Sequence, residues 1–256
     1  MKKVLETKDL AIGYKKKEIA SHITLTLRGG EVTSLIGRNG AGKTTLIKTL
    51  TGNLQPLVGE ILIEGRNLQD FTRKELARIM AVVNTDPNIA GGLRLKELVG
   101  LGRIPYTGKF GLNKGEDEVI IADAMKAVGI EHKKDSFVSQ LSDGERQKGM
   151  IARGLAQQTR IILMDEPFSF LDVASRLEIF SLLKRLAKEK DKAILLSTHE
   201  VTEALKMTDK VWLFLKDEIY EGNPELLIED GKIDKIFPDS KVRFDKEKGD
   251  FYLKDN

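Results

Sequence analysis

The nine residues GRNGAGKTT (37–45) constrain this chain more than any other stretch. They match G-x-x-x-x-G-K-[ST] from Gly37 to Thr44, after the apolar run Val32–Ile36 and before TTLIKTL, which reads as the first turns of a helix. Strand, glycine-rich loop and helix in that order make a cradle for phosphate. Glycines at 37, 40 and 42 let backbone N–H groups curl around phosphate oxygens, and the helix start near Lys43 adds a favourable dipole. In such a loop Lys43 reaches the β- and γ-phosphates and Thr44 offers its hydroxyl to Mg²⁺. Asn39, Gly40, Gly42 and Thr45 complete the expected nucleotide contacts.

A second set of polar residues follows another apolar run. IILMDEPFSFLD (161–172) places Asp165 at the end of a buried strand, where a carboxylate holds the Mg²⁺ shell. Glu166, one residue on, is placed to orient and deprotonate a water in line with the γ-phosphate. Pro167 then stops the strand ladder. In LLSTHE (195–200) a third apolar run ends in polar residues, and His199 is placed to donate to a γ-phosphate oxygen. His22 and His132 have no comparable setting and read as structural.

Strand-type runs recur at Val32–Ile36, Ile61–Ile63, Met80–Val83, Ile161–Met164, Ala193–Leu196 and Val211–Leu215, several of them separated by helix-length segments. That spacing predicts a largely parallel sheet with crossovers. GEILIEGRNL (59–68) reads instead as part of an antiparallel ribbon. Residues 86–158 carry helical patterns, such as EDEVIIADAMKAVGI (116–130), around a Gly-rich loop at 102–115. The expected fold class is α/β: a P-loop NTPase (RecA-like) core with an antiparallel β subdomain and a helical subdomain insert. Residues 1–85 and 159–230 would form the core and 86–158 the helical insert. Residues 231–256 would be a C-terminal extension, with an edge hairpin in KVRFDKEKGDFYL (241–253).

Composition narrows the partners. With 256 residues, 41% of them apolar, the chain can bury a sizeable core. The net charge is +3 and the basic residues are spread along the length, so a dedicated nucleic-acid reader is not expected. There is no cysteine, which excludes disulfides, Cys-bound zinc and a cysteine nucleophile, and suits a cytosolic setting. No apolar stretch approaches the roughly 20 residues that span a bilayer, so any membrane role must come through a partner.

In order, the phosphate loop, LSDGERQ (141–147), ILMDEP, SFLD and STHE resemble the ATP-binding cassette (ABC) family over residues 4 to about 228. The resemblance implies an ATPase that works as a head-to-tail dimer with ATP between the two copies. On that template Ser142 and the Gly144 backbone approach the γ-phosphate held by the other copy. Asp172 lies on the loop along the dimer interface, and Tyr14 matches the aromatic that stacks on adenine. ELARIMAVV and LRLKELVGLGRIPYTG resemble the ATPases of bacterial importers for iron–siderophore complexes, haem and cobalamin. Those sit in pairs beneath two permease subunits, at the cytoplasmic face of the inner membrane, and are served by a substrate-binding protein. Competing readings are a soluble ATPase of iron–sulphur cluster assembly and an exporter cassette. DNA-repair and translation members are disfavoured, since the chain has one cassette and no heptad run.

Two positions depart from the family pattern. The Mg²⁺-ligating glutamine after Met80–Val83 is missing, and Thr85 stands in its place. Thr85 or Asp86 would offer the oxygen to Mg²⁺, or else Asp86 caps the turn before Pro87. Where Gly-Gly-Gln is usual, the chain has Asp143, Gly144 and Glu145. A full negative charge about 4 Å from a γ-phosphate opposes it by roughly 4 kcal/mol at an effective dielectric of about 20. Either both acids turn away from the nucleotide or ATP-driven closure is weakened. The economical expectation is that Asp143 faces away and satisfies the helix start.

Overall fold

The computed structural model describes residues 2–15, 17–84, 92–107, 115–215, 218–238 and 240–254. Thr85 and Asp86 lie outside the described residues, as does 108–114 of the Gly-rich loop. The chain clusters into two compact units, residues 1–70 with 195–256 and residues 71–194. The cut falls inside a strand, between Ile194 and Leu195.

The first unit begins with β1 (Lys3–Tyr14), β2 (Lys17–Ile23), β3 (Thr26–Arg28), β4 (Val32–Ile36), α1 (Lys43–Leu50), β5 (Val58–Ile63) and β6 (Arg66–Asn67). β1 pairs antiparallel with β2, β3 and β5, and β6 closes that antiparallel sheet. The sequence patterns do not single out β1, for a physical reason. Asp9 takes a φ of 43° in mid-strand. The register slips between Lys8 and Ala11 against β5, and between Leu10 and Gly13 against β2. A bulge of this kind inserts a residue and destroys period-two alternation, so Leu10, Ala11 and Ile12 are all buried in succession. His22, also at positive φ, places its Nδ1 2.8 Å from Asp9 Oδ1 across the bulge.

The second unit contains α2 (Arg73–Ile79), β7 (Met80–Val83), α3 (Leu95–Gly100), α4 (Gly115–Ala127), α5 (Asp143–Ala156), β8 (Ile161–Met164) and α6 (Val173–Lys190). β7 and β8 run parallel, with Met80 opposite Ile161 and Val83 opposite Met164. From 92 to 158 the described residues form helices and turns, with one isolated bridge between Arg94 and Phe137. A buried ion pair ties them together. Arg103 Nε lies 2.7 Å from Asp117 on α4, and its guanidinium also donates to Ala156 O at the end of α5. Two charges out of water need such pairing to offset desolvation.

β9 (Ala193–Thr198) carries the chain back into the first unit. There follow α7 (Val201–Met207), β10 (Lys210–Phe214), β11 (Ile219–Gly222), α8 (Pro224–Glu229), β12 (Val242–Asp245) and β13 (Asp250–Leu253). β10 runs parallel to β4 and antiparallel to β11, so the fully buried β4 leaves the sheet directly into the glycine loop. β12 and β13 form a two-stranded sheet of their own.

Candidate nucleotide site

In the first unit, β4 delivers residues 37–42 to the start of α1. Gly42 is the N-cap, at φ 116°, and no side chain caps the helix. A Cβ on Gly42 would stand 2.7 Å from Ile19 Cγ2 and 3.2 Å from the Phe214 ring, so this loop closes only with glycine there. Lys43 is buried, and its Nζ donates to the carbonyls of Gly37 (2.8 Å) and Arg38 (3.2 Å). The ammonium is thereby held against the rim of its own loop. Thr44 is exposed in the first turn and Thr45 is buried beneath it, while Asn39 and Gly40 are exposed at the tip.

A cavity of about 350 Å³ lies beside the loop. Arg38, Asn39, Gly40 and Ala41 form one wall; Ile19, Phe214 and Leu215 line it with Lys235, Ile236 and Pro238 of the C-terminal extension. Tyr14 sits exposed at the end of β1, opposite Lys17. His199 is exposed just past β9, its Nε2 3.6 Å from Glu200 Oε1 and its carbonyl accepting from Val201 N–H.

The remaining expected site residues belong to the second unit. The N–H of Asp165 donates to Val83 O at 2.8 Å, which carries the β7–β8 ladder one residue beyond the strand. The chain then turns at Glu166, which has a φ of 48°. A left-handed non-glycine residue costs roughly 1–2 kcal/mol and persists only where its surroundings impose it. Here Ser169 closes the turn. Its Oγ lies 3.1 Å from Glu166 O and 3.3 Å from the Glu166 carboxylate. Asp172 is the N-cap of α6: Ser175 N–H and Oγ donate to its carboxylate and hold its pKa below the usual range.

Gly144 is brought against this same turn. A Cβ on Gly144 would meet Phe170 O at 3.1 Å, and the buried Gln147 Nε2 donates to Pro167 O at 2.9 Å. Ser142 is the N-cap of α5, and Glu145 completes a capping box. Glu145 N–H donates to Ser142 Oγ, and Ser142 N–H donates to the Glu145 carboxylate. Lys133 lies 3.2 Å from that carboxylate. The Ser142 N–H first, and then Lys133, hold its pKa below the ordinary glutamate value.

This corrects the expectation for the two acids. Glu145, at the third helical position, satisfies the helix start, because only from there can a carboxylate reach back to the N-cap N–H. Asp143 instead pairs with Arg146 one turn along. Gln147, Ser169 and Lys133 were not singled out from the sequence. Ser169 carries the local signal of a serine three residues after a turn; Lys133 carries none, being contributed by a distant segment.

Residues 20–169 match the ABC transporter family. The petrobactin import ATP-binding protein FpuD of Bacillus anthracis is 34% identical over 238 residues, which is 93% of this chain and 87% of that protein. The ferric enterobactin transport ATP-binding protein FepC of Escherichia coli is 32% identical over 234 residues, 91% of this chain and 86% of that one. Among solved structures, a dimeric ATP-binding cassette bound to ADP and phosphate superposes with a TM-score of 0.77 at 26% identity, covering 86% of this chain and 98% of that one. With a phosphate loop, an Asp-Glu strand end and the capped start of α5 at LSDGERQ in one chain, and with these relatives, the chain belongs to the ABC transporter family as an ATP-hydrolysing subunit.

Proposed function

We propose that this subunit powers uptake of an iron complex (a siderophore or haem) or of cobalamin. Two copies would close head to tail on ATP beneath partner permease subunits, with a substrate-binding protein delivering the cargo. FpuD and FepC, named for petrobactin import and ferric enterobactin transport, support the cargo class. The dimeric cassette with ADP and phosphate supports the paired state. No helix among the described residues is long and apolar enough to cross a membrane, which fits a subunit docked peripherally on the cytoplasmic side of a permease.

The observation that carries the hydrolytic assignment is Glu166, held at φ 48° directly after Asp165 and fastened there by Ser169. In this reading Lys43 turns from its loop carbonyls to the phosphate oxygens. Glu166 orients the attacking water and takes its proton, while His199 donates to a γ-phosphate oxygen. Tyr14 stacks on adenine, and Ser142 with the Gly144 backbone touches the nucleotide held by the other copy. In this reading Thr44 and Asp165, both hard oxygen donors, would hold Mg²⁺. Mg²⁺ takes only one or two protein oxygens and completes its shell with phosphate and water. When bound it neutralises charge on the β- and γ-phosphates.

The test is Glu166→Gln, which should leave ATP affinity unchanged and lower kcat by about 10²–10⁴-fold, the usual worth of a general base. Undiminished turnover would remove Glu166 from this role.

A further inference from the structure

α7 has only seven residues, and no side chain caps its start at Glu200. A helix so short has no stability of its own, so tertiary contacts decide where it sits. Some of those contacts come from Ile36 of β4, Leu213 of β10 and Leu227 of α8, and the rest from the C-terminal extension. Ile233 and Ile236, each 1% exposed, and Phe244 from β12 share one apolar cluster with Val201, Ala204 and Leu205. Phe251 of β13 packs edge-on against Phe244, with ring centroids 5.0 Å apart. On the polar side Thr202 Oγ1 donates to Asp250 Oδ1 at 3.0 Å. The first turn of α7 is therefore gripped twice, at Val201 by apolar packing and at Thr202 by the hairpin carboxylate. His199 lies two residues before that turn and is joined to it by the Val201 N–H to His199 carbonyl bond, 3.0 Å long.

We infer that the C-terminal hairpin is a brace for the γ-phosphate histidine: Asp250 and Thr202 are positioning residues that act through the first turn of α7 on His199. The inference rests on the proposed role of His199. A pinned first turn confines the backbone that carries the imidazole and raises the fraction of molecules in which it faces the phosphate. Loosening it should reduce turnover with little effect on ATP binding, which the phosphate loop governs.

Steady-state ATP hydrolysis by the full chain, assembled with its partners, tests this. Asp250→Ala and Thr202→Val should each lower kcat about five-fold, the scale that one net hydrogen bond supports, with KM for ATP changed less than about two-fold. The double variant should be no slower than either single one, and Thr202→Ser should retain parental turnover. In a His199→Ala background, Asp250→Ala should add nothing. Normal turnover by His199→Ala alone would overturn the histidine's role. A slow His199→Ala beside fully active Asp250→Ala and Thr202→Val would overturn the brace only. A further loss from Asp250→Ala in the His199→Ala background would show that the hairpin acts elsewhere, and would overturn the brace as well.

Discussion

Two helices of this protein begin at motifs assigned to phosphate, and they begin in opposite ways. α1 starts from Gly42 with no side-chain cap, no acid in its first turn and a buried lysine as its first residue. α5 starts from Ser142 with both halves of a capping box made and two acids in its first turn. An uncapped start keeps its dipole and first N–H groups directed at an anion. A start closed by its own serine and glutamate is stabilised from within, and its acids favour the helix dipole. On the proposed function the difference separates the labour: α1 would hold the nucleotide, and α5 presents a preformed surface.

The largest test of this division is Lys43→Ala. Removing the charge at the first position of α1 should lower kcat/KM for ATP by about a hundred-fold or more, the scale of losing one preorganised donor. A change within three-fold would erase the distinction between the two helix starts.

Next comes Glu145→Gln, read by urea unfolding at several pH values. The native state holds the Glu145 pKa below its reference of 4.5, so the charge stabilises the fold above that value. The contribution disappears as pH falls through the lowered native pKa. The variant should therefore be less stable than the parent at neutral pH, by about 1 kcal/mol for a weakened cap, and should converge with it in strong acid. A gap independent of pH would show that the capping carboxylate is not the cause.

The smallest effect is expected of Asp143→Gly in the Glu166→Gln background. Because Arg146 already partners Asp143, ATP-dependent dimerisation should change by less than about two-fold, measured by sedimentation. A large gain would mean that Asp143 opposes the phosphate and that α5 is less self-sufficient than its cap suggests.

Much of this was legible from local patterns. Runs of buried apolar residues marked β7 and β8, because continuous burial leaves a continuous apolar run, while in the equally buried β4 Thr33 and Ser34 interrupt it. β1 left no such mark, since the bulge at Asp9 replaces alternation with an irregular pattern. The capping box is legible as Ser-x-x-Glu at 142–145, a spacing that gives the capping role to Glu145 and not to Asp143. The closeness of Phe170 O to Gly144, which leaves little room for a Cβ there, has no sequence signal, because it depends on a turn more than twenty residues away.

The sequence alone determined the chemistry on offer: a glycine loop ending in Lys43 and Thr44, a strand ending in Asp165 and Glu166, and a family order of motifs. Those depend on residue type and short spacing, which the backbone converts into local geometry with little freedom. Only the tertiary structure decided which groups are already engaged. Lys43 bends to its own loop carbonyls, Ser169 fastens the strained Glu166, Lys133 partners Glu145, and the hairpin at 242–253 grips α7. Each of these rests on a contact, and a hydrogen bond or ion pair forms at about 3 Å whatever the distance along the chain.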